Sequence, residues 1–190
     1  NVDTFSPSKQ INLSVTQQTI QTRSSSQKAY ATIGVTHTAT QTAYLLFETW
    51  NAADTTPQYA QITRIGLESG VVTPVYERDG INSFVLSPDS QHSLVTYYQG
   101  EIQRGVPPNV CLLIMKTGIC KELGIKAQPE VLNWVDNESF TVVNVQANVQ
   151  AQLYDIHTLV GQPLEIPTEL YIYSVKTIPG TQRLLVFATL

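Results

Sequence analysis

The sequence predicts an all-β, propeller-like fold of about three and a half four-stranded blades. Three observations carry that expectation. From Tyr30 to the end of the chain, short apolar runs rich in β-branched and aromatic residues alternate with turn residues. No stretch keeps a 3.6-residue apolar period between helix caps. Two sets of turn markers recur at roughly 40 to 50 residues, the length of one blade. One set is Gly70, Gly118 and Gly161, and the other is Asp89, Asp136 and Gly180.

Taken in order, residues 1–29 are rich in Ser, Thr and Gln and read as an arm or linker. Inside this arm Ile11, Leu13 and Val15 alternate with polar residues, which is strand spacing. YATIGV and AYLLFETW are the first two strands of a blade spanning 30–77, and AQITRIGLESGVVTPVYE supplies the other two around Glu68, Ser69 and Gly70. A second blade, 82–124, runs through SFVLSP, HSLVTYY, VCLLIM and ICKEL. Its first turn is Ser-Pro-Asp-Ser: Pro88 presets φ near −65° at the second position, and Asp89 accepts from nearby backbone N–H groups. EVLNWV, SFTVVNV and AQLYDIHTLVGQPLEI form a third blade, 130–167, with a last turn near Val160 and Gly161. LYIYSVKTI and RLLVFATL give a half blade, 168–190.

SPDSQHSLVTYY followed by LLIMKTG resembles blades of the tryptophan-aspartate-repeat and TolB-like propeller superfamilies. In those families a Ser-Pro-Asp-Gly turn links two strands and a Thr-Gly turn follows the third. LYDIHTLVGQPLEI is similar to the same third-and-fourth-strand hairpin. The resemblance covers about residues 30–190 and implies architecture, with no activity attached. Ser90 stands where those families have Gly, and no Trp-Asp dipeptide occurs.

A half blade demands closure, because an open edge on its last strand is an aggregation hazard. Three arrangements satisfy this. The chain is a fragment of a larger ring, or a small ring closed by the strand at residues 11–15, or a subunit whose N-terminal strand completes a neighbour.

Composition narrows the function. The 190 residues carry a net charge of −4 and only 14% charged residues, against about 25% in an average soluble domain. A surface of neutral polar residues is common outside the cytoplasm, and an extracytoplasmic location is expected. The chain starts at Asn1 rather than Met, so a removed leader or a boundary upstream is also expected. Cations are scattered singly, which excludes nucleic acid as a partner. No apolar run reaches the ~20 residues that span a bilayer as a helix.

Candidate chemistry is sparse. His37, His92 and His157 form no metal-ligand motif, and neither a nucleophile elbow nor a phosphate loop occurs. No catalytic residue, metal or cofactor is expected. Cys111 and Cys120 flank a hairpin turn in which Leu113 faces Cys120 and Cys111 lies diagonal on the same face; a disulfide and two buried thiols both remain open. The long segments 50–59, 77–82, 99–110, 126–130 and 144–150 all belong to one end of the blades. Long loops on a rigid scaffold carry binding, and Trp, Tyr and Arg are enriched at hot spots. Trp50, Tyr59, Asp79 and Arg104 are therefore the candidate ligand-binding residues. The expected role is a non-catalytic binding or assembly module for protein or glycan. The alternatives are the propeller portion of a peptidase or glycosidase, and a subunit polymerising by N-terminal strand exchange.

Overall fold

The computed structural model describes residues 29–37, 41–49, 59–100, 105–143, 151–165, 171–178 and 184–189. The candidate strand at residues 11–15, together with Trp50 and Arg104, lies outside them. The described chain is almost entirely β, broken only by a short 3-10 turn at Pro129–Val131. Three antiparallel four-stranded sheets follow one another, each in simple up-and-down order. The first holds β1 (Ala29–His37), β2 (Thr42–Thr49), β3 (Tyr59–Gly66) and β4 (Val72–Arg78). The second holds β5 (Ile81–Leu86), β6 (His92–Tyr97), β7 (Asn109–Ile114) and β8 (Ile119–Lys126). The third holds β9 (Leu132–Trp134), β10 (Ser139–Val143), β11 (Ala151–Asp155) and β12 (Gly161–Pro163). A hairpin, β13 (Tyr171–Thr177) and β14 (Leu184–Thr189), forms the final half sheet, and among the described residues β14 has no further strand partner.

Side-chain alternation explains why the middle runs are apolar throughout. Successive residues of a strand point to opposite faces. In the second sheet Leu94, Val110 and Leu112 turn toward the third and join Trp134, Phe140, Val142 and Tyr154. Their neighbours Val95, Tyr97, Cys111 and Leu113 turn toward the first and pack with Tyr44, Leu46 and Ile62. A sheet covered on both faces needs no polar side, so VCLLI is buried residue after residue over Val110 to Leu113. Face-to-face sheets in a row are the packing of propeller blades.

The second blade's first turn is held by Asp89. Its Oδ1 accepts from the Ser87 hydroxyl at 2.7 Å and the Gln91 N–H at 3.0 Å, while the Ser90 N–H reaches the Ser87 carbonyl at 2.9 Å. Ser90 takes φ +58°, a left-handed conformation that glycine adopts without strain. Asp136 repeats the device in the third blade, accepting from the Glu138 N–H at 2.8 Å.

One turn differs from expectation. The last turn of the third blade covers 156–158, and its left-handed residue is Leu159 at φ +56°. Asp155 organises it, accepting from the N–H groups of His157 at 3.0 Å and Thr158 at 2.9 Å. Gly161 instead begins β12 beneath the Tyr154 ring, where a Cβ would lie 2.6 Å from Cζ. Its lack of a side chain makes room for an aromatic ring.

Gly118 does have the turn role, at φ +69°, and it also seats the second blade on the first. A Cβ there would lie 2.7 Å from the Val75 carbonyl oxygen of β4. Gly118→Ala is expected to lose about 1–2 kcal/mol from the left-handed backbone, plus the displacement of β4. Thermal melting of the variant checks this, and an unchanged midpoint would separate the two blades at this point.

Candidate functional site

Antiparallel pairing sorts the connections onto two ends. Tyr59 faces Thr49 and Arg78 faces Ala60, so the chain after β2 and the chain after β4 leave the first blade at the same end. In the second blade Tyr97 faces Asn109, which puts 98–108 at that end too. The other end carries the tight turns 67–71, 87–91, 115–118 and 135–138.

Tyr59 and Asp79 therefore share the end with the long connections. Tyr59 donates its hydroxyl to Glu77 Oε2 at 2.5 Å, and the Gln61 amide lies 3.4 Å from the same oxygen. Asp79 is exposed in the short turn between β4 and β5. The two residues are not joined by any hydrogen bond.

Close by, a cluster that sequence reasoning missed locks the first blade to the second. The Arg78 guanidinium lies 3.3 Å over the Tyr97 ring centroid and donates to Glu122 Oε1 at 2.7 Å. The Tyr97 hydroxyl donates to the other Glu122 oxygen. Burial, together with the Glu122 hydrogen bond, pushes the Tyr97 hydroxyl up to about 12. Partial burial acts against Glu122 ionisation, yet the hydrogen bonds from Arg78 and Tyr97 outweigh it and hold the carboxyl below its ordinary value. Three residues from three strands form no motif, so nothing in their spacing announces them.

The raised phenol has a pH consequence. Tyr97 keeps its proton in the fold after the unfolded chain, at the ordinary value of 10.0, has lost it. Its stabilising contribution is complete below pH 10 and disappears as pH climbs toward about 12. Tyr97→Phe is expected to flatten that alkaline loss in urea unfolding followed from pH 9 to 12. An identical slope in both proteins would mean that the hydroxyl is not held by Glu122.

At the tight-turn end a cleft of about 400 Å³ opens between the first two blades. Tyr44, Arg64 and Thr73 line it from the first blade, and Ser90, Gln91 and Lys116 from the second. It continues into a shallower recess of about 300 Å³ along β4 that includes Glu77. The second-blade side is fixed: the Met115 N–H bonds the Gln91 carbonyl at 3.0 Å, and the Cys111–Cys120 disulfide staples the hairpin that presents Lys116.

His92 opens β6, and its ring is 6.4 Å from that of Trp134. Among the described residues no three His, Cys, Asp or Glu side chains are grouped to hold a metal ion. No helix among them is long and apolar enough to cross a membrane.

Comparison with known proteins supports the architecture. No protein-family model matches the chain, and no curated protein matches it in sequence. Among solved structures it is similar to the β-propeller domain of the Trilobed protease from Pyrococcus furiosus, with a TM-score of 0.54 and 14% identity over 78% of this chain and 46% of that one. It is also similar to Porphyromonas gingivalis dipeptidyl peptidase 4, with a TM-score of 0.53 and 11% identity over 83% of this chain and 29% of that one. A third similar structure is an oligogalacturonate lyase in complex with manganese, with a TM-score of 0.53 and 14% identity over 72% of this chain and 41% of that one.

Proposed function

We propose that this β-propeller chain, which spans less than half the length of the solved structures it matches, is a non-catalytic module that works outside the cytoplasm and binds protein or glycan through the end carrying the long connections. The asymmetry of the two ends supports this: one is closed by tight turns, while the other carries 50–58, 98–108 and 144–150 on a rigid set of sheets. The disulfide agrees with an oxidising compartment.

The binding residues of this reading are Trp50, Tyr59, Asp79 and Arg104. Its test is a glycan array and a displayed-peptide screen, followed by alanine substitution of each residue. Hits that weaken at least tenfold on substitution support the reading. Affinity unchanged in all four variants would move the site elsewhere.

A second reading makes the chain the propeller portion of a hydrolase, and it draws on the likeness to peptidase structures, a relationship of fold alone. Labelling the complete gene product with a fluorophosphonate tests the peptidase form of this reading: a labelled serine favours the hydrolase, and no labelling removes a serine peptidase.

A further inference from the structure

We propose that the inter-blade cleft at the tight-turn end binds a small acidic ligand, a carboxylate carried on a sugar or on a short peptide. The lining is cationic in a chain whose net charge is −4: Arg64 and Lys116 are its charged residues, and no carboxylate joins them. An Arg fork and a Lys ammonium on opposite blades suit an oxyanion held between them. Tyr44, Thr73 and Gln91 add hydroxyl and amide groups for the remainder of a polar ligand. A volume of about 400 Å³ sits at the lower end of the usual range for ligand sites and accommodates a disaccharide or a dipeptide.

Ser90 is the independent observation. It lines the cleft, is only 4% exposed, and its hydroxyl has no hydrogen-bond partner within the protein. It also holds φ +58°. Backbone strain and an unsatisfied buried hydroxyl both disfavour serine there, and glycine would relieve both. The hydroxyl is itself buried, so a ligand acceptor met by rotation of this side chain into the cleft accounts for the choice.

Direction follows from charge. Toward the adjoining recess the lining acquires Glu77, so the ligand's anionic group belongs at the Arg64 and Lys116 end. The other nearby acid, Asp89, does not line the cleft, and its Oδ1 serves Ser87 and Gln91.

Calorimetry with four probes tests the site: digalacturonate against neutral galactobiose, and Glu-Glu against Gln-Gln. We expect one acidic probe to bind at least tenfold more tightly than its neutral counterpart, and the pair that discriminates identifies the carrier as sugar or peptide. Arg64→Ala/Lys116→Ala changes two exposed residues and is expected to erase that tenfold preference with an unchanged melting midpoint. Ser90→Gly is expected to raise the midpoint while weakening the acidic probe. Silence from both acidic probes, equal affinity for the neutral ones, or full binding by the double variant would overturn the proposal. So would a Ser90→Gly protein that is stabilised and binds undiminished. This site lies at the opposite end from the long connections, so its failure leaves the proposed function untouched.

Discussion

Trp134→Ala is expected to cost about 3–5 kcal/mol, the usual loss for truncating a buried large aromatic. The indole is 7% exposed and belongs to the core between the second and third blades. It meets Phe140 edge-on at 5.6 Å, and Phe140 in turn stacks on Tyr154 at 5.3 Å. Its Nε1–H reaches across the blade boundary to the Val85 carbonyl at 2.8 Å. Truncation therefore opens a cavity and removes a bond between blades at once. Against a total stability of about 5–15 kcal/mol, such a loss leaves a marginal fold. Trp134→Phe separates the two effects. It keeps most of the apolar contact and loses the hydrogen bond, at about 1 kcal/mol. Val85 is not stranded by that change, since its carbonyl also accepts from the Ser93 hydroxyl at 3.2 Å. Urea unfolding measures all three proteins. A loss below 1 kcal/mol for Trp134→Ala would mean that the two blades do not rely on this ring.

The blades were readable because their physics is local and repeated. A strand sandwiched between two sheets must be apolar on both faces, so VCLLI and HSLVTYY announce themselves without reference to anything distant. A Ser-Pro-Asp turn likewise carries its own hydrogen-bond chemistry, which the Asp89 contacts reproduce. Gly161 misled because a glycine between two candidate strands suggests a turn, whereas this one clears space for Tyr154 and the left-handed residue is Leu159. The acceptor that organises that turn, Asp155, was the better signal. Its carboxyl is held below the ordinary value chiefly by the Thr158 N–H.

The sites were much less legible. Arg78, Tyr97 and Glu122 meet only when two blades pack, and nothing in their spacing marks them as partners. Arg64 and Lys116 line one cleft from different blades in the same way. Scattered single cations form no basic run in the sequence, yet they leave room for a two-cation site assembled by the fold. Ser90 is the exception. A serine in a position that the resembling families give to glycine is visible in the sequence, and its left-handed φ gives that departure a physical meaning.

Removing the Cys111–Cys120 disulfide is the second change expected to have a large effect. The Cα atoms are 5.7 Å apart and the residues are separated by 9 positions. Closing so short a loop stabilises by about 2–3 kcal/mol through the unfolded chain. Cys111→Ala/Cys120→Ala is a cleaner probe than serine, because Cys111 is fully buried and a hydroxyl there would need a partner. At about 2–4 °C per kcal/mol for a chain of this size, the melting midpoint should fall by about 4–12 °C. The variant should no longer respond to reductant, while the parent protein should lose a similar amount when reduced. The same hairpin presents Lys116 and Thr117 to the cleft, so the loosened turn is also expected to weaken any acidic probe that binds there. Thiol titration of protein from its native source completes the test. Two blocked cysteines support export to an oxidising compartment, and two titratable thiols in folded protein would remove that support.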